Sequence, residues 1–345
     1  MKSAVLTGIR KIEVREVPDP QLKKENDVLL RIGVVGLCGS DIHYYQTDRI
    51  GNQVVRYPFT PGHECAAVVE NAGSGIKRVK PGDRVVIDPA VSCGECDQCL
   101  QGRPNTCLNL LFLGFPGQLP GCLSEFIVMP EENCYPIEEQ MSLRQAALVE
   151  PLSIAVYAVN LLDNLKAEKI GILGSGPMGL SVLLAAQVAG ISLVYVTDKI
   201  DERLKAARKA GANWTGNPDK SDIVTDIQRE EPLSLDAVFE CCGDQEALDQ
   251  AIELLKPGGK LMILGIPLTE RISFDINKLR RKEICIQNVR RQNNCTQAAI
   301  DLIKNRQVEV DFMATHFFNL EETREAFELV SAYRDGVIKA MIQLE

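Results

Sequence analysis

The sequence lacks a long hydrophobic run. Its longest apolar stretch, Ala146 to Leu162, is broken by Glu150, Pro151, Ser153 and Asn160, so nothing approaches the roughly twenty apolar residues that span a bilayer. The opening residues, Met1 to Thr7, have no signal-peptide apolar core, and a cytoplasmic protein with no membrane partner is expected. Positive charge is also short: 38 lysines and arginines stand against 47 acidic residues, a net charge of -9, with no basic run to compensate. That excludes a nucleic-acid partner and leaves small-molecule chemistry. Internal repeats and low-complexity segments are absent, and only three histidines occur, His43, His63 and His316.

Cysteine, by contrast, is plentiful, with twelve in 345 residues. In a short secreted chain that number would suggest a disulfide framework, but this chain is long enough for two domains and four of its cysteines have metal spacing. The run Cys93-Gly-Glu-Cys96-Asp-Gln-Cys99, followed by Cys107, can close a tetrahedron of thiolates around Zn2+, a structural site with no open position. A second set lies upstream. Cys38 and the adjacent His63-Glu64 offer one thiolate, one imidazole and one carboxylate, a mixture suited to a catalytic zinc. The plainer alternatives are that Cys38 is a small buried hydrophobe and His43 an idle loop residue. Two of three histidines falling inside these motifs argues against coincidence.

The first half reads as short extended segments between Gly/Pro turns: 28–32, 66–69, and 84–87 after Lys80-Pro81-Gly82-Asp83. A largely antiparallel β domain is expected there. From about residue 166 apolar strands at 169–173, 193–197, 236–240, 260–264 and 283–287 alternate with helical stretches, the pattern of a parallel sheet wound on both faces. A helical stretch near 296–304 and the segment 321–345 follow, and the C-terminus is expected to return to the first domain.

Strand Lys169–Leu173 runs directly into Gly174-Ser175-Gly176-Pro177-Met178-Gly179 and then a helix. Glycine pairs are common in turns, so the plain alternative is a tight connection that binds nothing. The placement between strand and helix is what dinucleotide binding requires: a tight turn, close approach of backbone to pyrophosphate, and free N–H groups at the helix start. Asp198 ends the second strand, about twenty residues on, where a carboxylate holds adenosine ribose hydroxyls. Its charge opposes the 2′-phosphate of NADP and favours NAD, a preference that Lys199 and Arg203 would soften.

Cys38-Gly39-Ser40-Asp41-Ile42-His43, then Gly62-His63-Glu64, the four-cysteine lobe and the nucleotide motif together resemble the zinc-dependent medium-chain dehydrogenases, over nearly the whole chain and in that family's order. Tyr44, Arg49-Ile50-Gly51-Asn52 and Glu150-Pro151-Leu152-Ser153 are most similar to the sorbitol (polyol) dehydrogenase branch. The ethanol-type branch has a second cysteine ligand where this chain has Glu150. The resemblance implies an α/β protein: a GroES-like, mostly β catalytic domain over 1–155 with a zinc lobe at 93–107, a Rossmann NAD-binding domain over 156–288, and a segment 289–345 returning to the catalytic domain. It further implies two zinc ions per subunit, a cleft between domains where zinc and nicotinamide meet, and a homodimer or homotetramer.

Carried over residue by residue, the resemblance makes Cys38, His63 and Glu64 direct zinc ligands, with Glu150 binding the metal directly or through its water. Zinc with an exchangeable position promotes deprotonation of an alcohol while the nicotinamide accepts hydride. Ser40 is placed to hydrogen-bond the substrate oxygen or zinc water, and His43 to pass the proton to solvent. Tyr44, Ile50 and Phe112 would line the pocket, with core packing the alternative for Ile50 and Phe112. Arg290-Arg291-Gln292-Asn293-Asn294 departs from the branch pattern: Arg291 and Asn294 keep the register, while Arg290 and Gln292 replace aromatic residues. A solvated surface is the alternative there; the added donors otherwise favour a hydroxyl-rich or carboxylate-bearing substrate such as a sugar acid. The expected reaction is oxidation of a secondary alcohol of a polyol or sugar derivative to a ketone. A threonine or simple-alcohol dehydrogenase, and a non-catalytic zinc- and nucleotide-binding redox sensor, are the competing readings.

Overall fold

A computed structural model describes residues 1–162 and 166–344. Contacts divide the chain into two compact units, one of Met1–Glu150 with Thr296–Glu345 and one of Pro151–Cys295.

The first unit is built on the ten-residue strand Asp27–Gly36, whose residues are nearly all buried. This strand pairs along one edge with Glu64–Ala72, and along the other with Phe126–Pro130 over its first half and Lys339–Gln343 over its second. Arg84–Ile87 and Cys134–Pro136 extend the sheet beyond Glu64–Ala72, and Ala314–Asn319 extends it beyond Lys339–Gln343. Every pairing in this sheet is antiparallel except the last. Ala314–Asn319 runs parallel to Lys339–Gln343, with helix Thr323–Ser331 between them in sequence, because parallel neighbours need a crossover that a hairpin cannot supply. The expected antiparallel domain therefore carries one parallel edge. Leu30, Ile32, Val35, Val69, Ile87 and Met129 from the strands meet Tyr45 and Phe327 from the helices in one apolar core, and burial at about 25 cal/mol per Å2 makes such a core the main stabilising term.

The second unit is a six-stranded parallel sheet in the spatial order Trp214–Gly216, Leu193–Thr197, Lys169–Leu173, Leu235–Glu240, Leu255–Ile263, Cys285–Asn288. In chain order this is 3-2-1-4-5-6, the Rossmann arrangement, and the order reverses between Lys169–Leu173 and Leu235–Glu240. The crevice beyond the carboxyl ends of those two strands is where such sheets take ligands. Five of the six strands answer to the apolar runs in the sequence; the three-residue edge strand Trp214–Gly216 is too short to show a period.

Candidate zinc centres and nucleotide loop

The four-cysteine lobe folds almost entirely from local sequence. A four-residue helix, Asp97–Leu100, starts after Cys96, and a 3-10 turn, Pro104–Thr106, delivers Cys107. The Sγ atoms of Cys96 and Cys99 lie 3.6 Å apart, those of Cys96 and Cys107 3.8 Å, and those of Cys93 and Cys107 3.4 Å. Four sulfurs at about 2.3 Å from one zinc stand about 3.8 Å from each other, so the cage fits the ion without rearrangement. Main-chain N–H groups point into it as well: Cys93 N donates to Cys107 Sγ, Leu108 N to Cys96 Sγ and Asn109 N to Cys107 Sγ. The N–H groups of Glu95 and Cys96 pull the Cys93 thiol down to about 6, whereas burial pushes Cys99 up to about 12. The N–H donors thus favour the thiolate at Cys93 while burial disfavours it at Cys99.

The second centre is assembled from distant sequence. Cys38 follows strand Asp27–Gly36 and is the N-cap of helix Gly39–Thr47; His63 and Glu64 stand where strand Glu64–Ala72 begins, and that strand is the neighbour of Asp27–Gly36 in the sheet. Cys38 Sγ, a His63 nitrogen and a Glu64 carboxylate oxygen lie within 4.8 Å of one another. His63 and Glu64 are buried and Cys38 is half-buried. One soft, one borderline and one hard donor at this spacing fit a zinc ion. Glu150 stands outside that three-atom cluster, in the first turn of helix Val149–Asn160, yet it belongs to the same electrostatic environment. Burial raises its carboxyl to about 7, with the negative charge of Glu64 adding to the rise and His63 and Lys339 opposing it.

Two residues of this centre were not singled out from the sequence. Asp41, fully buried, accepts hydrogen bonds from Cys38 N (3.1 Å) and Gly62 N (3.0 Å), and its Oδ1 is 3.7 Å from His63 Nδ1. It ties the two metal-binding segments together. Its position three residues after Cys38 is capping-box spacing, a legible signal. Lys339 is the other. It is buried in strand Lys339–Gln343, donates to Leu37 O at 3.0 Å and forms an ion pair with Glu64 Oε2. A lone lysine between Ile338 and Ala340 inside an apolar run was the available clue, because a fully buried ammonium needs a partner. Burial pulls the His63 imidazole down, but the charges of Cys38 and Asp41 outweigh it and hold the pKa well above the ordinary value.

Ser40 and His43 lie on helix Gly39–Thr47, both half-buried, and His43 O accepts from Thr47 Oγ1. Phe112 packs its ring 5.4 Å from the His63 ring, so it walls the imidazole. Tyr44 is buried edge-on against Phe59, 5.9 Å between centroids, with its hydroxyl 3.5 Å from Gln53 Oε1. Ile50 is half-buried against the apolar core. Arg291 lies in the second unit, half-buried with a positive φ of 54°, beside the exposed Arg290. His316 is apart from these groups, 3.2 Å from Asp335.

In the second unit Gly174 has φ +100°, a conformation only glycine takes without strain. A Cβ on Gly179 would stand 1.9 Å from Gly174 O, so helix and loop touch only because that side chain is missing. Gly176 caps helix Pro177–Val188, Pro177 occupies its first turn, and Met178 follows. Asp198 accepts from Ser175 N at 2.7 Å and from Ile200 N at 2.8 Å. Burial raises its pKa against the pull of Arg203 and these N–H groups. Loop and carboxylate are thus joined in one hydrogen-bonded unit at the start of the helix, the position at which Rossmann sheets take a pyrophosphate.

Residues 24–139 match the alcohol dehydrogenase GroES-like domain family and residues 177–305 the zinc-binding dehydrogenase family. The chain is 34% identical to the sorbitol dehydrogenase of Bacillus subtilis (strain 168) over 343 residues, covering 99% of this chain and 97% of that protein. The chain belongs to the zinc-containing medium-chain alcohol dehydrogenases. It is also 32% identical to the L-idonate 5-dehydrogenase of Vitis vinifera, over 99% of this chain and 94% of that one. Among solved structures, an Escherichia coli oxidoreductase/dehydrogenase of unknown specificity superposes with a TM-score of 0.91 at 32% identity, covering 100% and 99% of the two chains. A zinc-binding dehydrogenase from Sinorhizobium meliloti 1021 bound to NADP has a TM-score of 0.89 at 29% identity, covering 99% of each chain. An alcohol dehydrogenase from E. coli CFT073 complexed with NADH has the same score at 26% identity, covering 100% and 99%. As a member of this family the chain is an oxidoreductase acting on CH–OH donors. Among the described residues no helix is long and apolar enough to cross a membrane.

Proposed function

We propose that this medium-chain dehydrogenase oxidises a secondary alcohol of a polyol or sugar derivative to a ketone, with NAD as hydride acceptor. The observation that carries the reading is the convergence of Cys38, His63 and Glu64 within 4.8 Å, a mixed donor set beside a separate, closed four-cysteine cage. Cys38, His63 and Glu64, with Glu150 as direct or water-mediated fourth partner, would hold a zinc ion in the mixed site, and that ion would supply Lewis acidity toward an alcohol oxygen near neutral pH. The chain's own residues do the rest. Asp41 holds the Cys38 and His63 segments in register, Phe112 keeps one side of the imidazole dry, Ser40 accepts or donates at the reacting oxygen, and His43 passes the proton toward solvent. Gly174, Gly176 and Gly179 let the pyrophosphate approach the loop, and Asp198 holds the ribose.

A polyol or sugar acid is favoured by the names of two relatives, a sorbitol and an L-idonate dehydrogenase, and by the carboxylate Glu150 in place of a second cysteine. Tyr44, Ile50 and Arg291 are assigned to the substrate in this reading. A cytoplasmic homodimer or homotetramer belongs to the same proposal. The deciding experiment follows NADH absorbance over sugar alcohols, aldonates, simple secondary alcohols and L-threonine, with and without a zinc chelator. Chelator-sensitive turnover on polyols or aldonates is the expected result. Turnover confined to L-threonine or to simple alcohols would overturn the substrate class, and silence with all of them despite bound zinc and nucleotide would overturn the enzyme reading.

A further inference from the structure

Lys199 follows the ribose-facing Asp198 directly, and in sequence it looks like a cation free to receive a 2′-phosphate. The structure surrounds it with acid. Its Nζ is 3.6 Å from Asp244 Oδ2, 3.7 Å from Glu246 Oε2 and 3.9 Å from Asp219 Oδ1. The four residues come from three different connections at the carboxyl edge of the parallel sheet: Lys199 after strand Leu193–Thr197, Asp219 after Trp214–Gly216, and Asp244 with Glu246 after Leu235–Glu240. That is the edge at which a dinucleotide binds.

The arrangement is held from below. Asn217 Nδ2 donates to Lys199 O at 3.0 Å and to Asp201 Oδ1 at 2.9 Å, while its Oδ1 accepts from Asp219 N at 3.0 Å. Asp244 is the N-cap of helix Gln245–Leu254, accepting from Glu246 N at 3.1 Å. The second cation near the loop also acts on a carboxylate. Arg203 is buried, its carbonyl accepts from Ser175 Oγ, and its charge acts on Asp198.

All four side chains of the cluster are about half exposed, and exposed ion pairs of this kind contribute little to stability. What three carboxylates around one ammonium do change is the local potential, which becomes net negative within a Debye length of about 10 Å. A 2′-phosphate hangs from the ribose that Asp198 is placed to hold, so it enters that field. We propose that Asp219, Asp244 and Glu246 are cofactor-specificity residues, which neutralise Lys199 and present an acidic rim that excludes NADP. The inference rests on the reading of NAD as cofactor and adds to it the reason that neighbouring Lys199 does not reverse the preference of Asp198.

The test is calorimetric binding of NAD+ and of NADP+ to the zinc-loaded full chain, wild type and Asp219→Asn/Asp244→Asn/Glu246→Gln. Asparagine keeps the helix cap at position 244. The expected result is a rise of at least fivefold in NADP+ affinity with NAD+ affinity moving less than threefold, and loss of the gain when Lys199→Met is added. A rise of less than fivefold in NADP+ affinity, or an NAD+ affinity that rises in step with it, overturns the rim, whatever the wild type prefers. Wild-type protein that binds NADP+ as tightly as NAD+ overturns the cofactor reading instead. A second arm needs no variant: raising salt from 0.05 to 0.5 M should narrow the wild-type discrimination against NADP+, since the Debye length falls severalfold, and discrimination that stays constant or widens counts against the rim.

Discussion

Lys339 and Glu64 form an ion pair in which both side chains are 2% exposed, and Glu64 is at the same time one of the three residues gathered around the catalytic metal position. The carboxylate therefore has two claims on it, one from an ammonium that never leaves and one from an ion that the protein must acquire. The pair accounts for how a carboxylate can be buried in this core before metal arrives.

Removing the ammonium should expose that dependence. Lys339→Met is expected to destabilise the chelator-treated protein by about 3–5 kcal/mol, the usual cost of leaving one member of a buried pair uncompensated. Adding Glu64→Gln should recover much of the loss. Urea unfolding of the two single variants and the double variant, analysed as a cycle, checks this; strictly additive effects would contradict the coupling.

Stability and zinc affinity should depend on pH in opposite directions. In the metal-free chain both His63 and Glu150 bind protons more tightly than their ordinary values, Glu150 at about 7. For each, the stabilising contribution is complete below the unfolded pKa and is lost as pH rises through the folded one. Thermal unfolding of chelator-treated protein is thus expected at lower temperature at pH 8 than at pH 6. Zinc needs the imidazole unprotonated, so its apparent affinity at the mixed site should rise over the same interval. Calorimetry of zinc binding in buffers of different ionisation enthalpy should report proton release near pH 6.5, and binding without release would contradict the assignment of His63.

Gly179→Ala tests the nucleotide loop. The added methyl would stand 1.9 Å from Gly174 O, so helix Pro177–Val188 and the loop must separate. The expected outcome is a loss of at least tenfold in NAD+ affinity with a stability cost of about 1–3 kcal/mol, typical of overpacking. Zinc content should be unchanged, since both metal-binding sets lie in the first unit.

Cys99→Ser should separate the two metals. Native mass spectrometry is expected to fall from two zinc ions per chain to one, with the remaining ion at the mixed site, and the melting temperature should drop because the lobe loses its clasp. Retention of both ions would contradict a four-thiolate cage.

Local features were the legible ones. The cysteine lobe from Cys93 to Cys107, the glycine loop from Gly174 to Gly179 and each single apolar strand are complete within a short segment, and each corresponds to an element of the structure. The Cys38 and His63-Glu64 set spans a longer interval, yet its residue types are rare enough to stand out. What escaped depends on pairings remote in sequence. The parallel edge formed by Ala314–Asn319 and Lys339–Gln343, the Lys339 counter-charge, and the acids around Lys199 are all set by which strands become neighbours. Periodicity within a segment carries no record of that choice. Lys199 is the instructive case, since one residue read alone as a cation sits in a net negative cluster once three loops are brought together.

The strand that delivers Lys339 bears on events during synthesis. Glu64 leaves the ribosome 275 residues before its counter-ion, and in the interval the whole second unit is made. Domains generally fold as units, the earlier ones first, yet here the sheet around Glu64 lacks two of its strands, Ala314–Asn319 and Lys339–Gln343, until the whole second unit has been made. The second unit can settle while the sheet around Glu64 waits for those strands, so the parallel sheet is complete in the chain before the buried counter-charge of Glu64 is present.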